Sequence, residues 1–180
     1  MTPQEAYLYA KNMIQDRWIE KEPIILTYPY WSYHYAKDII KGRWPKGELT
    51  VLTSPQWSYH YAKYVIKGRW PKGELTVLTS PQWAFWYAED IVKERWIEAE
   101  PIILTCPQHT YYYAKEIIQG RWPEGEPTIL NDPVWAYSYA KYVLKDRWIE
   151  AEPSILQSKF AEIYCKEFLQ LQTNWKQEGF

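Results

Sequence analysis

A unit of 26 residues recurs six times, and the side chains best suited to contact a ligand sit at its variable positions. Each repeat is counted here from its opening proline: Pro3, Pro29, Pro55, Pro81, Pro107 and Pro133. Position 6 then reads Leu8, His34, His60, Trp86, Tyr112 and Ser138. Position 2 reads Gln4, Tyr30, Gln56, Gln82, Gln108 and Val134. Position 10 reads Asn12, Asp38, Tyr64, Asp90, Glu116 and Tyr142. Positions 2, 6 and 10 follow one another at i, i+4 and i+8, so a helix aligns them along one stripe. Lys11, Lys37, Lys63, Lys115 and Lys141 run beside it, interrupted by Glu89. Aromatic and imidazole rings facing water are the chemistry of macromolecular contact. The expected partner-binding residues are therefore Tyr30, His34, His60, Tyr64, Trp86 and Tyr112, with Lys37, Lys63 and Lys115. The competing reading packs the outer rings on adjacent helices and leaves only the lysines solvated.

Other chemistries find less support. An arginine ladder runs from Arg17 to Arg147, and each member is followed five residues later by a glutamate, Glu22 to Glu152. Arginine–carboxylate pairing accounts for both ladders better than a bound phosphate does. Strict recurrence also favours a structural role, because positions that read a ligand differ along an array. His34 and His60 occupy equivalent sites one repeat apart. Their backbones should lie about 8–10 Å apart, and no Cys or carboxylate cluster completes a zinc tetrahedron. There is no Gly-x-Ser-x-Gly elbow and no phosphate-binding Gly-x-x-x-x-Gly-Lys-Ser/Thr loop. Neither catalysis, nor a metal, nor a cofactor is expected.

The elements that position these residues follow from the repeat. The Arg-Trp pair at 17–18, 43–44, 69–70, 95–96, 121–122 and 147–148 keeps its 26-residue step without slippage. A fixed period in this range is the mark of a repeat array. Positions 3, 4, 7, 8, 11 and 12, in repeat three Trp57, Ser58, Tyr61, Ala62, Val65 and Ile66, fall on one helical stripe. Pro55 suits a first helical turn, and Ser54, Ser80 and Asp132 suit the N-cap before it. Gly42, Gly68 and Gly120 lie where that helix should stop. The spacing predicts a long helix of about 12 residues, for example 55–67. The second half of each unit ends in aliphatics that could form a strand. Pro23, Pro101, Pro127 and Pro153 argue instead for a second, short helix such as Glu126 to Leu130, because proline would remove a ladder bond from each stacked strand.

The expected fold is all-α: a right-handed α-solenoid of six two-helix repeats (3–28, 29–54, 55–80, 81–106, 107–132 and 133–158) with a capping helix over 158–172, all in one domain over 1–180. Repeat one, with Glu5 in place of the first Trp, reads as a capping repeat. Lys41 to Trp57 is repeated letter for letter as Lys67 to Trp83, which points to a recent duplication. After repeat six the register slips by one residue. Phe160, Ile163, Tyr164, Phe168 and Leu171 still form a helical stripe, and Gln172 to Phe180 reads as a frayed polar tail.

A net charge of −1 and a pI near 6.3 weigh against a dedicated duplex-DNA binder. No apolar run or amino-terminal leader pattern points to a membrane or to export, so a soluble cytoplasmic protein is expected. Cys106 and Cys165 lie in different repeats and are not expected to bridge.

Tyr-Ala-Lys-Tyr-Val-Ile-Lys-Gly-Arg-Trp-Pro (61–71) and Gly-Arg-Trp-Pro-Glu-Gly-Glu-Pro-Thr-Ile-Leu (120–130) resemble a repeat of uncharacterised proteins from phages and large DNA viruses. The resemblance spans about 3–157. It implies a viral or mobile-element origin, hence a host cytoplasm, and no activity. The alternation of long and short helices also resembles leucine-rich-repeat-variant solenoids. The expected function is non-catalytic binding of a protein partner, a host protein or defence component if the viral resemblance holds. The alternative is a binder of nucleotides or single-stranded nucleic acid, through aromatic stacking and lysine contacts.

Overall fold

A computed structural model describes residues 1–169. The described residues contain helices and connecting turns and no strand. They divide into two compact units, Met1–Ala99 and a second that begins at Glu100, inside repeat four. No described helix is long and apolar enough to cross a membrane.

Each repeat contributes a long helix with a change of pitch. Pro55–Tyr61 is α-helical, and Ala62–Ile66 continues it as a π-helix. Pro29–Tyr35 with Ala36–Ile40, and Pro133–Tyr139 with Ala140–Leu144, repeat the pattern. The wide turn closes when the Lys67 N–H donates to the Ala62 carbonyl at 2.7 Å. Lys67 itself adopts the left-handed conformation, with φ of 62°. Gln15, Lys41, Lys93, Gln119 and Lys145 do the same. Gly42, Gly68 and Gly120 thus lie where the helix stops, as expected, but the left-handed residue is the one before each glycine. Two of the expected caps also differ. Asp132 accepts from the Val134 N–H, whereas Ser54 and Ser80 take an extended backbone at the cap without a side-chain bond.

The second half of each unit is a short helix, as its prolines imply. It runs over Glu22–Ile25, Pro45–Val51, Pro71–Val77, Glu100–Ile103, Glu126–Ile129 and Glu152–Leu156. Its opening takes more than one form. Where Trp-Pro begins the segment at Pro45 and Pro71 the α-helix starts at once, whereas Trp122-Pro123 is followed by a turn and the helix starts at Glu126. Where Trp-Ile begins it, Ile19–Lys21, Ile97–Ala99 and Ile149–Ala151 make a 3₁₀ turn first. Glycine goes with the first form for a steric reason. A Cβ on Gly47 would lie 2.2 Å from Cε3 of Trp44.

Within the first unit the long helices stack in sequence, Pro3–Tyr9 on Pro29–Tyr35, on Pro55–Tyr61, on Pro81–Tyr87. Within the second, Pro107–Tyr112 packs on Pro133–Tyr139, and Glu152–Leu156 packs on the capping helix that starts with Ala161–Tyr164. The fold is thus an all-α solenoid in each unit. The cap continues as Cys165–Leu169, and the expected stripe residue Leu171 and the tail to Phe180 lie outside the described residues. Ile163, expected on the packed stripe, is exposed, while Tyr164 is fully buried.

The buried stripe also differs from the expected one. Positions 4, 5, 7 and 8 are buried, for example Ser58, Tyr59, Tyr61 and Ala62. Trp57, Val65 and Ile66 are only half-buried. The π-helical turn breaks the 3.6-residue phase from Ala62 onward, at Val65 and Ile66, whereas Trp57 and Tyr59 lie on the α-helix before it. The tryptophans of the turns, Trp44, Trp70, Trp96, Trp122 and Trp148, are the deeply buried ones.

Hydrogen bonds tie one repeat to the next. The Tyr61 ring lies 4.9 Å from that of Trp70 in its own repeat. Its hydroxyl reaches back to the previous repeat, accepting from the Trp44 N–H at 2.7 Å and donating to Glu48 at 3.3 Å. Glu48 in turn holds Arg43 through two bonds of 2.9 and 3.1 Å. Arg17–Glu22, Arg69–Glu74, Arg121–Glu126 and Arg147–Glu152 form the same ion pair. A second tie joins short helices, where Thr50 and Thr76 donate to the Leu26 and Leu52 carbonyls at 2.8 and 2.9 Å.

Candidate partner-binding face

The long helices place their variable positions on one side of each stack. Position 5 is a buried tyrosine in most repeats, and its hydroxyl emerges beside the lysine one turn on. Tyr59 donates to Asp90 of the next repeat and accepts from Lys63 at 3.0 Å, and Lys63 lies 2.8 Å from the same carboxylate. Tyr7, Lys11 and Asp38 form the same triad, as do Tyr137, Lys141 and Glu167. Burial, reinforced by Asp90, pushes Tyr59 up to about 12. Burial works against the Lys63 charge, but Asp90 and Tyr59 outweigh it and raise its proton affinity. Between repeats two and three the acid is replaced by Tyr64. Lys37 there lies over the Tyr33 and Tyr64 rings, 5.7 and 5.1 Å from their centroids. Lys115 pairs with Glu116 of its own repeat at 2.6 Å.

The lysines that the competing reading leaves solvated do meet water: Lys11, Lys63, Lys115 and Lys141 pair with carboxylates yet keep 28–45% of their side chains exposed, and Lys37 is exposed. The packing of outer rings on adjacent helices holds for the histidines. His34 and His60 are half-buried in a row of rings that crosses from helix to helix. Tyr30 meets Trp57 at 5.0 Å, Trp57 meets His60 at 5.3 Å, and His60 meets Trp83 at 5.7 Å. Burial first, then Lys63, His34 and Lys37, hold the His60 imidazole below its ordinary value. Tyr112 is half-buried and lies 5.6 Å from Trp135 in the second unit. Tyr30, Tyr64 and Trp86 remain open to water, at 40%, 43% and 41% exposure.

Between the long helices of repeats three and four the row opens into a depression of about 340 Å³, lined by Tyr59, His60, Lys63, Trp83, Trp86 and Asp90. Trp57 and Trp83 are half-buried, in contrast to the buried Trp44, Trp70, Trp96, Trp122 and Trp148 of the turns. The face thus offers flat apolar rings, paired lysines and, at Lys37, an exposed cation that lies over rings without a carboxylate partner among the described residues.

Two further features escaped the sequence reading. Leu49 and Leu75 stand 74% and 75% exposed on the short helices, with Ile19 and Ile97 exposed on the turns before theirs. The exchange of proline and aliphatic residues between positions 17 and 21 was the available signal, since neither position keeps a side chain that a core would demand. The second is a Cys–His pair. His109 Nδ1 lies 3.2 Å from Cys106 Sγ, where repeats three and four carry a serine and a tryptophan and repeat six an aspartate and a tryptophan. Both cysteines are free thiols.

No family model, curated protein or solved structure matches the chain.

Proposed function

We propose that the protein is a non-catalytic binding protein that engages another protein through the long-helix face. The observation that carries this reading is the exposure of Tyr30, Tyr64 and Trp86 on a row of rings already braced by Trp57, His60 and Trp83. Rigid aromatic side chains surrounded by packed neighbours are the usual anchors of protein interfaces. The recurrent carboxylates, arginines and tyrosines are occupied in joining repeats, so they are not the groups put to use. Taken with the resemblance to phage and large-virus repeats, the partner is a host protein met in the host cytoplasm, and a defence component is one class of it.

The alternative, a nucleotide or single-stranded nucleic acid, draws less support. Such ligands need cations free to track the backbone. Lys11, Lys63, Lys115 and Lys141 each face a carboxylate instead, which leaves Lys37, over the Tyr33 and Tyr64 rings, as the one of the five without such a partner among the described residues. Panning a random peptide library on the protein and on a His60→Ala/Trp86→Ala variant of unchanged melting tests the proposal. Enriched peptides that the variant fails to hold support it. Peptides that bind both equally, or no enrichment at all, count against it. Oligonucleotide binding that weakens steeply with salt would favour the alternative.

A further inference from the structure

We infer that copies of this chain associate with one another through the short-helix halves of their repeats. The basic short helices of repeats two and three in one copy meet the acidic turns of repeats five and six in another. The contact uses none of the long-helix rings, so it stands apart from the proposed partner face. The first argument is charge. Repeats two and three (29–80) hold eight Lys and Arg against three Asp and Glu, whereas the rest of the chain holds thirteen against nineteen. Arg43 and Arg69 are held by Glu48 and Glu74. Lys37, Lys41, Lys46, Lys67 and Lys72 are exposed and make no ion pair among the described residues. The basic surplus therefore faces outward.

The second argument is a change of sign at one position of the repeat. Position 18 reads Lys46 and Lys72 in repeats two and three, and Glu20, Glu98, Glu124 and Glu150 in the others, all exposed. Neither Glu124 nor Glu150 makes an ion pair among the described residues. Arg121, whose charge Glu150 reinforces, is already bonded to Glu126. Lys46 and Lys72 are one repeat apart, as are Glu124 and Glu150, so the same kind of stacking sets both separations. Two copies can meet with both pairs engaged, and opposite charges in register steer and align such an encounter.

The third argument selects a second copy over a polyanion. Leu49 and Leu75 follow Lys46 and Lys72 by three residues on the same helices, and they are 74% and 75% exposed. A phosphate backbone would neutralise the lysines and leave these leucines in water. An acidic surface with aliphatic neighbours covers both, and this chain carries one: Ile149, 68% exposed, precedes Glu150, and the exposed Pro123 precedes Glu124. Because the two halves of the contact differ, copies joined by it form a closed ring or an open chain.

Sedimentation of the whole chain over a range of concentrations tests the inference. The mass should rise with concentration to two chains or more. Association should weaken at least about tenfold between about 0.1 M and about 1 M salt, as the screening length falls from about 10 Å to about 3 Å. Lys46→Glu/Lys72→Glu and Glu124→Lys/Glu150→Lys should each sediment as one chain. An equimolar mixture of the two should associate again, because the exchanged signs oppose once more. Leu49→Ser/Leu75→Ser adds no charge and serves where an exchanged variant melts differently; it should weaken association about tenfold or more, as loss of anchor residues does. Trp86→Ala should associate like the unaltered chain. A single chain at every concentration, or exchanged variants that do not rescue each other, overturns the inference. So does loss of association in Trp86→Ala, which would move the contact to the ring row. Oligonucleotide binding that needs Lys46 and Lys72, without association of copies, would give these lysines to a polyanion and overturn it too.

Discussion

The hydroxyl of Tyr61 accepts the backbone N–H of Trp44, across the junction of two repeats, at 2.7 Å. The same bond joins Tyr35 to Trp18, Tyr87 to Trp70, Tyr139 to Trp122 and Tyr164 to Trp148. It serves a donor that the turn leaves without a helical partner. Because Tyr61 also donates to Glu48, one hydroxyl closes a path from Arg43 to Trp44. Tyr61→Phe should therefore cost about 1–3 kcal/mol, the penalty of a buried donor left unpaired. Urea unfolding would measure it. Tyr30→Phe, whose hydroxyl makes no hydrogen bond among the described residues, serves as the control and should change stability by less than about 0.5 kcal/mol.

Gly47 and Pro45 should behave as a coupled pair. A Cβ on Gly47 meets the Trp44 ring at 2.2 Å. Repeats four and six carry Ala99 and Ala151 at this position, fully buried, behind Ile97 and Ile149 and a 3₁₀ turn. Gly47→Ala alone should cost about 1–3 kcal/mol through overpacking. Adding Pro45→Ile should recover part of that loss, with a coupling of about 0.5 kcal/mol or more in a double-mutant cycle. Strict additivity would show that the two openings are not set by this pair.

These two relationships mark how far the sequence could be read. The period, the two helices and the Arg–Glu pairs were legible because each rests on a local rule: proline at a first turn, helical spacing, opposite charges five residues apart. The buried stripe was legible only in part, because the wheel assumed an α-helix to its end. The shift to a π-helix at Ala62 leaves Val65 and Ile66 half-buried, and Tyr59 is buried where the wheel put no core residue. The Tyr61 bond was not legible, since its partner is a backbone N–H and no residue type announces it. At the candidate site Tyr30, Tyr64 and Trp86 are exposed as the wheel implied, while His34, His60 and Tyr112 are half-buried, and the pairing of Lys63 with Asp90 spans 27 residues and needed the stack itself.

Lys67 and Gly68 should respond in opposite senses to loss of glycine. Gly68 has open space around its missing Cβ and no left-handed backbone. Gly68→Ala should stabilise by about 0.4–1 kcal/mol through the unfolded chain. Lys67 has φ of 62°, which a β-branched side chain tolerates poorly. Lys67→Val should cost about 1–2 kcal/mol, while Lys67→Gly should be tolerated. Thermal melts of the three variants would rank them.

Stability should fall on mild acidification. Burial holds His34, His60 and His109 below their ordinary value of 6.5. The folded state then binds these protons less readily than the unfolded state. The contribution is complete above about pH 6.5 and is lost as pH falls through the lower folded values. The carboxylates act in a separate window. Arg147 holds Glu152 below 4.5; for Glu74, burial acts upward but Arg69 and Tyr87 prevail. Their contribution is lost only as pH falls below about 4.5. Urea midpoints between pH 7 and pH 5 should therefore decline, and less steeply in His60→Gln. An unchanged slope in that variant would remove His60 as a source of the decline.

Trp86 and Trp70 should separate stability from recognition. Trp70 is 3% exposed and packs against Tyr61 beneath a Gly73 that leaves room for its ring. Trp70→Ala should cost about 3–5 kcal/mol, the usual loss for a buried aromatic side chain. Trp86 projects from the same kind of long helix but keeps 41% of its surface in water, and its one described ring neighbour is the adjacent Phe85. Trp86→Ala should cost less than about 1 kcal/mol, since little apolar area leaves its packing. A solenoid whose repeats depend on neighbours spreads damage at Trp70 along the stack, so its transition should also broaden. Loss of peptide binding in Trp86→Ala with an unchanged melt would assign the exposed ring to a partner, whereas a large destabilisation would return it to the scaffold.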